Sequence, residues 1–318
     1  MTKRRTGPWF FTATYGIILT AVFCNFLWGS AFPCVKTGYR LFSIESNDTM
    51  SQILFAGIRF LLAGIMVVTA GSIINRRILL PTGNNIKKIL FLSLFQTVIQ
   101  YILFYIGLAN TSGVKGSIIE ASSVFVAILI SSLIFRLEKL SLSKISGCII
   151  GFAGVVIVNI GGQGLDFSLK WNGEGLILMS TVSYAFSTVL MKRYSAKGDP
   201  VLLSGWQFIS GGLIMIVMGA AGGGSVSAGA DIDYLMLFYL AFISAAAYSL
   251  WGMLLKYNPV SRIAVFGFAN PVFGVILSAM ILKESSQAQG LATLTALLLV
   301  CAGIYLVNRA DEVNTDKS

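Results

Sequence analysis

The segment GIRFLLAGIM (residues 57–66) is matched further along the chain by GWQFISGGLIM (residues 205–215). The alignment pairs Gly57 with Gly205, Phe60 with Phe208 and Gly64 with Gly212. At nearly the same offset three more segments recur in order: FLSLFQTVIQY (91–101) with FYLAFISAAAY (238–248), VF (124–125) with VF (272–273), and GVVIVN (154–159) with GIYLVN (303–308). A repeat that keeps one period along the whole chain predicts two structurally equivalent halves.

The composition indicates that both halves lie in a membrane. Of the 318 residues, 56% are hydrophobic and only 11% are charged, whereas about 25% are charged in soluble domains. A membrane-spanning helix needs about 20 apolar residues, so the chain has room for about ten. The apolar runs predict spans at 14–36, 51–74, 88–109, 115–136, 142–160, 174–192, 201–222, 234–255, 260–282 and 288–308.

Each half then holds five spans, and an odd number places the second half upside down relative to the first. We therefore predict an all-α, polytopic membrane protein with ten transmembrane helices in two inverted five-helix repeats. The predicted units are a first repeat (1–160), an external linker (161–173), a second repeat (174–309) and a cytoplasmic tail (310–318).

The basic residues set the orientation, because short loops rich in Lys and Arg stay on the cytoplasmic side. Most Lys and Arg side chains fall on one side when the N-terminus is placed in the cytoplasm. This predicts a multi-pass protein of the cell (inner) membrane with both termini cytoplasmic, and with MTKRRTGPWF (1–10) as the flank of the first span. The net charge of +10 follows from this topology, so we predict no nucleic-acid partner.

The sequence lacks the patterns of an intramembrane enzyme. It has no histidine, no nucleophile elbow of the G-x-S-x-G type and no pair of carboxylates inside one span. Its four cysteines are scattered through apolar runs, without the spacing of a metal site. We predict no catalytic activity, no cofactor and no bound metal.

One carboxylate, Glu120, lies well inside a predicted span, within GSIIEASSVFVAIL (116–129). A charge at the bilayer centre costs roughly 2.5–3.5 kcal/mol on insertion scales, so such acids usually face the bundle interior or water. Helical spacing places Glu120 on a stripe of small and polar residues: Gly116, Glu120, Ser123, Ala127 and Ser131. A similar stripe on span 9 holds Gly267, Asn270, Gly274 and Ser278. Two such stripes either pack closely or leave a passage between them.

Three interpretations of Glu120 stay open at this point. It is a coupling site or a site for a substrate amine, a structural ion pair with Arg59, or a permanently neutral hydrogen-bonding acid. Burial favours the neutral form of a carboxyl group, whereas a nearby arginine favours the charged form. Arg59 is the basic residue inside a span, and its repeat equivalent is the neutral Gln207. It serves either to anchor its helix or to contact the substrate.

Further candidates for substrate binding come from helix faces that mix polar and aromatic side chains. Such faces favour organic solutes of modest size with one or two polar groups, amino acids among them. Together with Glu120 and Arg59, the predicted substrate-binding or coupling residues are Asn25, Trp28, Gln96, Gln100, Tyr101, Tyr248, Trp251 and Asn270.

Several motifs resemble those of one transporter family, the ten-helix EamA-type branch of the drug/metabolite transporter superfamily. They are LWGSAFPCVK (27–36), RF (59–60), GLANTSGVKGSI (107–118), LIFRLEKLS (133–141) and NPVFGVILSAMILKES (270–285). The resemblance implies two inverted five-helix repeats around a central cavity, and transport of metabolites or drugs, often outward. It also implies that Glu138 and Glu284, at the ends of equivalent spans, serve as interfacial ties or gates. Many members have a proline early in span 4, where this chain has Ser122 or Ser123.

These observations predict a secondary transporter of small organic metabolites, which exports its substrate by alternating access and couples to protons through Glu120. The alternatives are a passive facilitator or exchanger without proton coupling, and a membrane scaffold. The expected partners are a small-molecule substrate, the lipid bilayer and protons. A homodimer is left open, because Gly147 and Gly151 form a close-packing face for either the bundle or a neighbouring protomer.

Overall fold

The computed structural model describes residues 8–45, 47–111, 113–160, 170–282 and 290–315. Within these ranges the chain folds into helices and contains no strand. The α-helices are α1 (Thr14–Leu41), α2 (Thr49–Ile74), α3 (Gly83–Leu92), α4 (Gln100–Ala109), α5 (Gly113–Ala121), α6 (Ser123–Leu129), α7 (Leu142–Ile160), α8 (Leu176–Ser195), α9 (Pro200–Ala221), α10 (Asp231–Tyr257), α11 (Val260–Ala264), α12 (Ala269–Leu282) and α13 (Gly290–Thr315).

Short stretches of π-helix and 3₁₀-helix join several of these helices. Ser93–Ile99 is a π-helix that links α3 to α4, Ile130–Ile134 follows α6, and Trp171–Gly175 leads into α8. A 3₁₀-helix, Val265–Phe268, links α11 to α12. Helical structure therefore begins at Trp171, inside the predicted linker, and α13 continues to Thr315, inside the predicted tail.

The protein is built to lie in a membrane. Among the described residues, six helices are long and apolar enough to cross a bilayer: Thr14–Leu41, Thr49–Ile74, Gly83–Leu108, Trp171–Ser195, Pro200–Ala221 and Asp231–Tyr257. Large apolar side chains such as Leu133, Val217 and Leu298 are exposed on the outside, as a lipid-facing surface requires. The count of ten spans stays a prediction.

The second long helix of each half begins at an aspartate. Asp48 accepts a hydrogen bond from the backbone N–H of Ser51 (3.0 Å) at the start of α2, and Asp199 accepts one from Val201 (2.9 Å) at the start of α9. The Ser51 hydroxyl and backbone N–H hold the pKa of Asp48 below its usual value. Both aspartates satisfy a helix N-terminus that lies outside the apolar segment.

Helices α2 and α9 pack against each other through the glycines of the sequence repeat. A Cβ atom on Gly57 would lie 2.9 Å from the carbonyl oxygen of Gly212, and one on Gly64 would lie 2.6 Å from that of Gly205. The later residue of α2, Gly64, meets the earlier residue of α9, Gly205, so the two helices run antiparallel. Because Gly57 aligns with Gly205 and Gly64 with Gly212, the two contacts are reciprocal.

Helices α7 and α13 repeat this arrangement at the other edge of the bundle. A Cβ atom on Gly147 would lie 2.9 Å from the carbonyl oxygen of Gly303, and one on Gly154 would lie 2.8 Å from that of Ala296. These helices also run antiparallel, since the later residue of α7, Gly154, meets the earlier residue of α13, Ala296. The last helix of each half therefore packs against its counterpart.

The predicted close-packing face of α7 is filled within the chain. Gly147 faces α13, and a Cβ atom on Gly151 would lie 2.5 Å from the ring of Phe268. The interpretation of this face as a contact with a neighbouring protomer is therefore wrong, because both glycines are buried by the protein's own helices.

The remaining contacts between the halves are also equivalent in the two directions. Helix α1 packs against α10 and α12, and α8 packs against α4 and α6. The first helix of each half thus contacts the third and fourth helical segments of the other half. These segments surround the region that holds most of the predicted site residues.

The fourth span of the first half is interrupted, although the sequence predicts a continuous helix over 115–136. The chain turns at Ser122, whose hydroxyl donates to the carbonyl oxygen of Ile119 (2.6 Å), so α5 ends at Ala121 and α6 begins at Ser123. A serine hydroxyl that binds a nearby carbonyl competes with the helix hydrogen bond at that position. The turn places Glu120 in the last turn of α5.

Candidate functional site

Two pairs of equivalent aromatic residues mark the place where the halves meet. The rings of Phe60 and Phe208 stack with centroids 5.2 Å apart and an interplanar angle of 11°. The hydroxyl groups of Tyr101 and Tyr248 lie 3.2 Å apart. Each residue thus contacts its own partner in the sequence repeat, so both pairs lie where the two halves meet.

Arg59 lies beside these pairs and is buried, with 6% of its surface exposed. Its guanidinium carbon is 4.5 Å from the centre of the Phe60 ring and 5.8 Å from that of Tyr101. Its charge interacts with the hydroxyl groups of four tyrosines: Tyr39, Tyr101, Tyr105 and Tyr248. Its Nε atom has no hydrogen-bond partner among the described residues.

The repeat equivalent of Arg59 has a different environment. Gln207 is fully buried, and its Oε1 atom accepts a hydrogen bond from the hydroxyl of Thr97 (2.8 Å). The first half therefore supplies a cation where the second supplies a neutral amide that is partly satisfied by its neighbours.

Glu120 is half-buried and does not pair with Arg59. Its carboxyl group interacts electrostatically with the hydroxyls of Tyr101 and Tyr184, and no ion pair joins it to a basic residue in the described part of the chain. The predicted structural ion pair is therefore wrong. Arg59 is surrounded by aromatic rings and hydroxyl groups instead, and Tyr101 is a neighbour of both charged residues.

Two tryptophans extend the aromatic surface. The ring of Trp28 on α1 lies 5.2 Å from that of Tyr248 and 5.0 Å from that of Trp251, both on α10. We call Trp28, Arg59, Phe60, Tyr101, Phe208, Tyr248 and Trp251 the central cluster. The cluster draws on α1, α2, α4, α9 and α10, so it depends on both halves.

Many of the predicted site residues carry a buried polar atom that has no partner among the described residues. These atoms are Asn25 Oδ1, Trp28 Nε1, Arg59 Nε, Gln96 Oε1, Gln100 Oε1, Trp251 Nε1 and Asn270 Oδ1. An unsatisfied buried polar group costs about 1–3 kcal/mol, and native proteins hold few of them. Their concentration in one set of helices is typical of a site that binds a polar solute or water.

The structure brings some of the predicted residues into direct contact and leaves others apart. Trp28, Arg59, Tyr101, Tyr248 and Trp251 contact one another in the central cluster, and Glu120 is linked to it through Tyr101. The remaining predicted residues lie outside the central cluster: Asn25 on α1, Gln96 on the π-helix Ser93–Ile99, Gln100 on α4 and Asn270 on α12.

Three tyrosines of the site were missed by the sequence analysis: Tyr39, Tyr105 and Tyr184. Tyrosines in membrane helices usually pack or lie at the interface, so residue type alone did not single them out. The spacing of Tyr101 and Tyr105, four residues apart on α4, is the signal that would have added Tyr105.

A second polar cluster lies at one end of the bundle, around Glu138. Its carboxylate accepts hydrogen bonds from Lys144 Nζ (2.7 Å), the Ser131 hydroxyl (2.7 Å), and both the backbone N–H (3.1 Å) and the hydroxyl of Ser261. Burial raises the pKa of Glu138, but Lys144 and the hydroxyl donors outweigh it and hold the pKa below its usual value. Because Ser261 lies on α11, this carboxylate ties the first half to the second, whereas Glu284 lies outside the described residues.

Comparison with known proteins matches both halves of the chain. A model of the EamA-like transporter family matches residues 15–160 and 171–309. The chain belongs to the EamA-like transporter family. The two matched segments coincide with the two halves of the sequence repeat.

Relatives in this family are found in plants and archaea. A chloroplastic WAT1-related protein of Arabidopsis thaliana is 26% identical over 294 residues, which cover 89% of this chain and 67% of the relative. An uncharacterized transporter of Archaeoglobus fulgidus is 27% identical over 285 residues, 89% of this chain and 95% of the relative. A solved crystal structure has the same fold, with a TM-score of 0.76 and 15% identity over 92% of this chain and 96% of the other. The family and these names identify a membrane transporter.

Proposed function

We propose that this EamA-family protein is a ten-span secondary transporter that exports small organic solutes by alternating access, coupled to protons through Glu120. The observation that carries the proposal is the central cluster, where buried polar atoms that have no partner among the described residues lie at the contact between the two halves. We place the protein in the cell membrane with both termini in the cytoplasm.

The antiparallel packing of equivalent helices supports an inverted repeat. Helix α2 packs against α9 and α7 against α13 through reciprocal contacts, and a two-fold axis in the membrane plane relates pairs of this kind. Inverted repeats place the solute site near mid-membrane at the interface between the repeats. The pairs Phe60–Phe208 and Tyr101–Tyr248 lie at that interface.

The tie at Glu138 supports alternating access. Its carboxylate holds Lys144 and Ser131 of the first half and Ser261 of the second, so the halves cannot separate at this end while the tie is intact. The abundance of basic residues in the neighbouring loops supports a cytoplasmic position for this end. Opening the site to the cytoplasm would break the tie, and closing it would restore the tie.

The surroundings of Glu120 support the coupling role. A carboxyl group that has no basic partner in the described part of the chain is free to change its protonation state during transport. Its neighbours Tyr101 and Tyr184 interact with its charge, and Tyr101 belongs to the central cluster. A change of charge at Glu120 is therefore sensed where the solute binds.

Flux into proteoliposomes tests the proposal. Purified protein is reconstituted, and the flux of labelled amino acids, nucleobases and aromatic carboxylates is measured with and without a pH gradient. We expect saturable flux of at least one solute that the gradient accelerates, and we expect Glu120→Gln to remove that acceleration. Glu45→Gln, a change at an exposed glutamate, serves as the control. Non-saturating flux would identify a passive pore, and saturable flux with the same pH response in Glu120→Gln would exclude the coupling role.

A further inference from the structure

We propose that the solute carried at the central cluster bears a carboxylate group, and that Arg59 binds it. This inference rests on the proposed transport function and names the chemical class of its substrate. It follows from the state of the Arg59 guanidinium, from the geometry around it and from the position of Glu120.

The first step is the charge of Arg59. An arginine side chain stays protonated in proteins, and a buried charge requires an opposite charge or full hydrogen bonding. Arg59 is 6% exposed and its Nε atom has no partner, and no carboxylate forms an ion pair with it among the described residues. The described residues therefore leave this buried cation without a counter-charge, which a bound anion would supply.

The second step is the direction from which an anion can approach. The Phe60 ring covers the guanidinium, with the two centres 4.5 Å apart. A guanidinium carries its N–H groups in its own plane and binds carboxylates edge-on, often through two parallel hydrogen bonds. One of these N–H groups, at Nε, has no hydrogen-bond partner among the described residues. The hydroxyls of Tyr101 and Tyr248 share one hydrogen bond (3.2 Å), so one O–H of the pair remains to donate to an anion beside Arg59, whose charge interacts with both tyrosines.

The third step is the number of negative charges. Glu120 acts on Tyr101, which also contacts Arg59, so a second negative charge on the solute would approach a protein carboxyl group. A single carboxylate is therefore favoured over a phosphate dianion or a dicarboxylate. A cationic solute is disfavoured by Arg59 itself.

The fourth step is the body of the solute. The rings of Trp28 and Trp251 lie 5.0 Å apart at the edge of the cluster. The indole N–H of each is buried and has no partner within the described part of the chain. Aromatic rings with a free N–H suit an apolar or aromatic body that carries a hydrogen-bond acceptor. The expected substrate class is an aromatic or apolar monocarboxylate.

A structural role for Arg59 makes a different prediction. If the rings of Phe60 and Tyr101 alone stabilise the guanidinium by cation–π interactions, the site has no preference for an anion. The two cases are separated by probes of the same shape and different charge.

Isothermal titration of the purified wild-type protein provides this comparison. The probes are 3-phenylpropionate, 3-phenylpropionamide and 2-phenylethylammonium. We expect the carboxylate to bind about tenfold or more tightly than the amide, since it gains a charge-assisted bidentate contact, and we expect the ammonium to bind weakest. Equal binding of carboxylate and amide, or no binding of the carboxylate, would overturn the proposal without requiring any variant.

Substitutions then assign the preference to Arg59. Arg59→Gln, which gives the first half the amide of the second, should weaken 3-phenylpropionate about tenfold or more and leave the amide unchanged. Arg59→Lys should retain part of the preference for the carboxylate, because a lysine keeps the positive charge but cannot form the two parallel hydrogen bonds of a guanidinium. Arg193→Gln is the matched control, since Arg193 is exposed and its guanidinium carbon lies 5.5 Å from the Phe135 ring.

The outcomes separate this inference from the proposed function. If Arg59→Gln binds 3-phenylpropionate as the wild type does, the inference is wrong. If saturable flux is found only for uncharged or cationic solutes and is unchanged in Arg59→Gln, the transport function stands and the substrate class is wrong. If no solute shows saturable flux, the transport function itself fails.

Discussion

The two halves of this transporter have the same packing and different chemistry. Gly57 and Gly64 contact their counterparts reciprocally, and Phe60 and Tyr101 each meet their own equivalents. Arg59, one position before Phe60, is matched by the neutral Gln207. Glu120 is likewise matched by a neutral residue, since the alignment of the two VF segments places it opposite the buried ring of Phe268.

This difference in charge separates the residues that the fold requires from those that are specific to the candidate site. Close helix contacts need small residues, and a symmetric junction needs rings that match each other, so both halves keep these. Charges inside a membrane are costly and are retained where they act on a solute or a proton. Because both charged groups come from one half, the central region has a charged side and a neutral side.

The largest expected effect comes from making the halves alike in charge. Gln207→Arg places a second buried guanidinium on the opposite side of the junction from Arg59 and removes the acceptor of the Thr97 hydroxyl. We expect it to lower the free energy of unfolding by about 3–5 kcal/mol, the cost of an uncompensated buried charge. Melting of the purified protein in detergent, followed by circular dichroism, measures the loss.

Two further variants show whether the loss is due to charge. Gln207→Met removes the same acceptor without adding a charge, so its cost should be smaller. The double variant Arg59→Gln/Gln207→Arg has one cation again and should recover part of the stability. If the double variant melts no higher than Gln207→Arg, the two positions do not share one electrostatic environment.

The tie between the halves should have the next largest effect, and its size should depend on pH. Glu138→Gln leaves the Lys144 ammonium, 2% exposed, without this carboxylate, and we expect a loss of about 3 kcal/mol at neutral pH. The pKa of Glu138 is held below its usual value. The carboxylate therefore contributes fully above its unfolded-state pKa, and its contribution is lost as the pH falls through the lower, folded-state pKa.

Melting temperatures at a series of pH values test this sign. The difference between wild type and Glu138→Gln should be largest near neutral pH and should shrink as the pH falls below about 4.5. Glu45→Gln, at an exposed position, should show a small difference that changes little with pH. A gap between wild type and Glu138→Gln that widens on acidification would contradict the assigned role of the carboxylate.

The smallest effect should come from the packing that the halves share, and it should be equal on both sides. A Cβ atom on Gly64 would lie 2.6 Å from the carbonyl oxygen of Gly205, and one on Gly212 would lie 2.6 Å from the backbone nitrogen of Leu61. We expect Gly64→Ala and Gly212→Ala each to cost about 1–3 kcal/mol, because the helices must move apart.

Gly83 offers the control for these substitutions. A Cβ atom there meets no other atom within 4 Å, so Gly83→Ala should leave the melting temperature unchanged or slightly raised. A large cost at Gly64 with none at Gly212 would contradict equal packing in the two halves.

The positions of the helices could be predicted because the thickness of a bilayer fixes the length of an apolar run. The predicted span 142–160 coincides with α7, and the span 260–282 coincides with α11, the 3₁₀ turn and α12. The turn at Ser122 could not be predicted, since a serine in an apolar run binds its own helix as readily as it interrupts it. The π-helix at Ser93–Ile99 has no local signal that we recognise.

The composition of the site was predictable and its pairings were not. Asn25, Trp28 and Trp251 were predicted from mixed polar and aromatic faces, and each carries a buried polar atom for which the described residues supply no partner. The partner of Arg59 was not predicted, because charge alone favours Glu120. The choice of tyrosines over Glu120 depends on how α2 and α4 face each other, which only the packing decides.

The contact between Trp28 and Trp251 should give a circular dichroism signal that depends on the distance between the two rings. Their rings are 5.0 Å apart at an angle of 66°, and they belong to helices from opposite halves. Indoles this close share their electronic excitations, which gives paired bands of opposite sign in the far-ultraviolet circular dichroism spectrum, where the strong indole transition lies. A rearrangement that draws α1 away from α10 would collapse those bands, so the unlabelled protein reports its own opening.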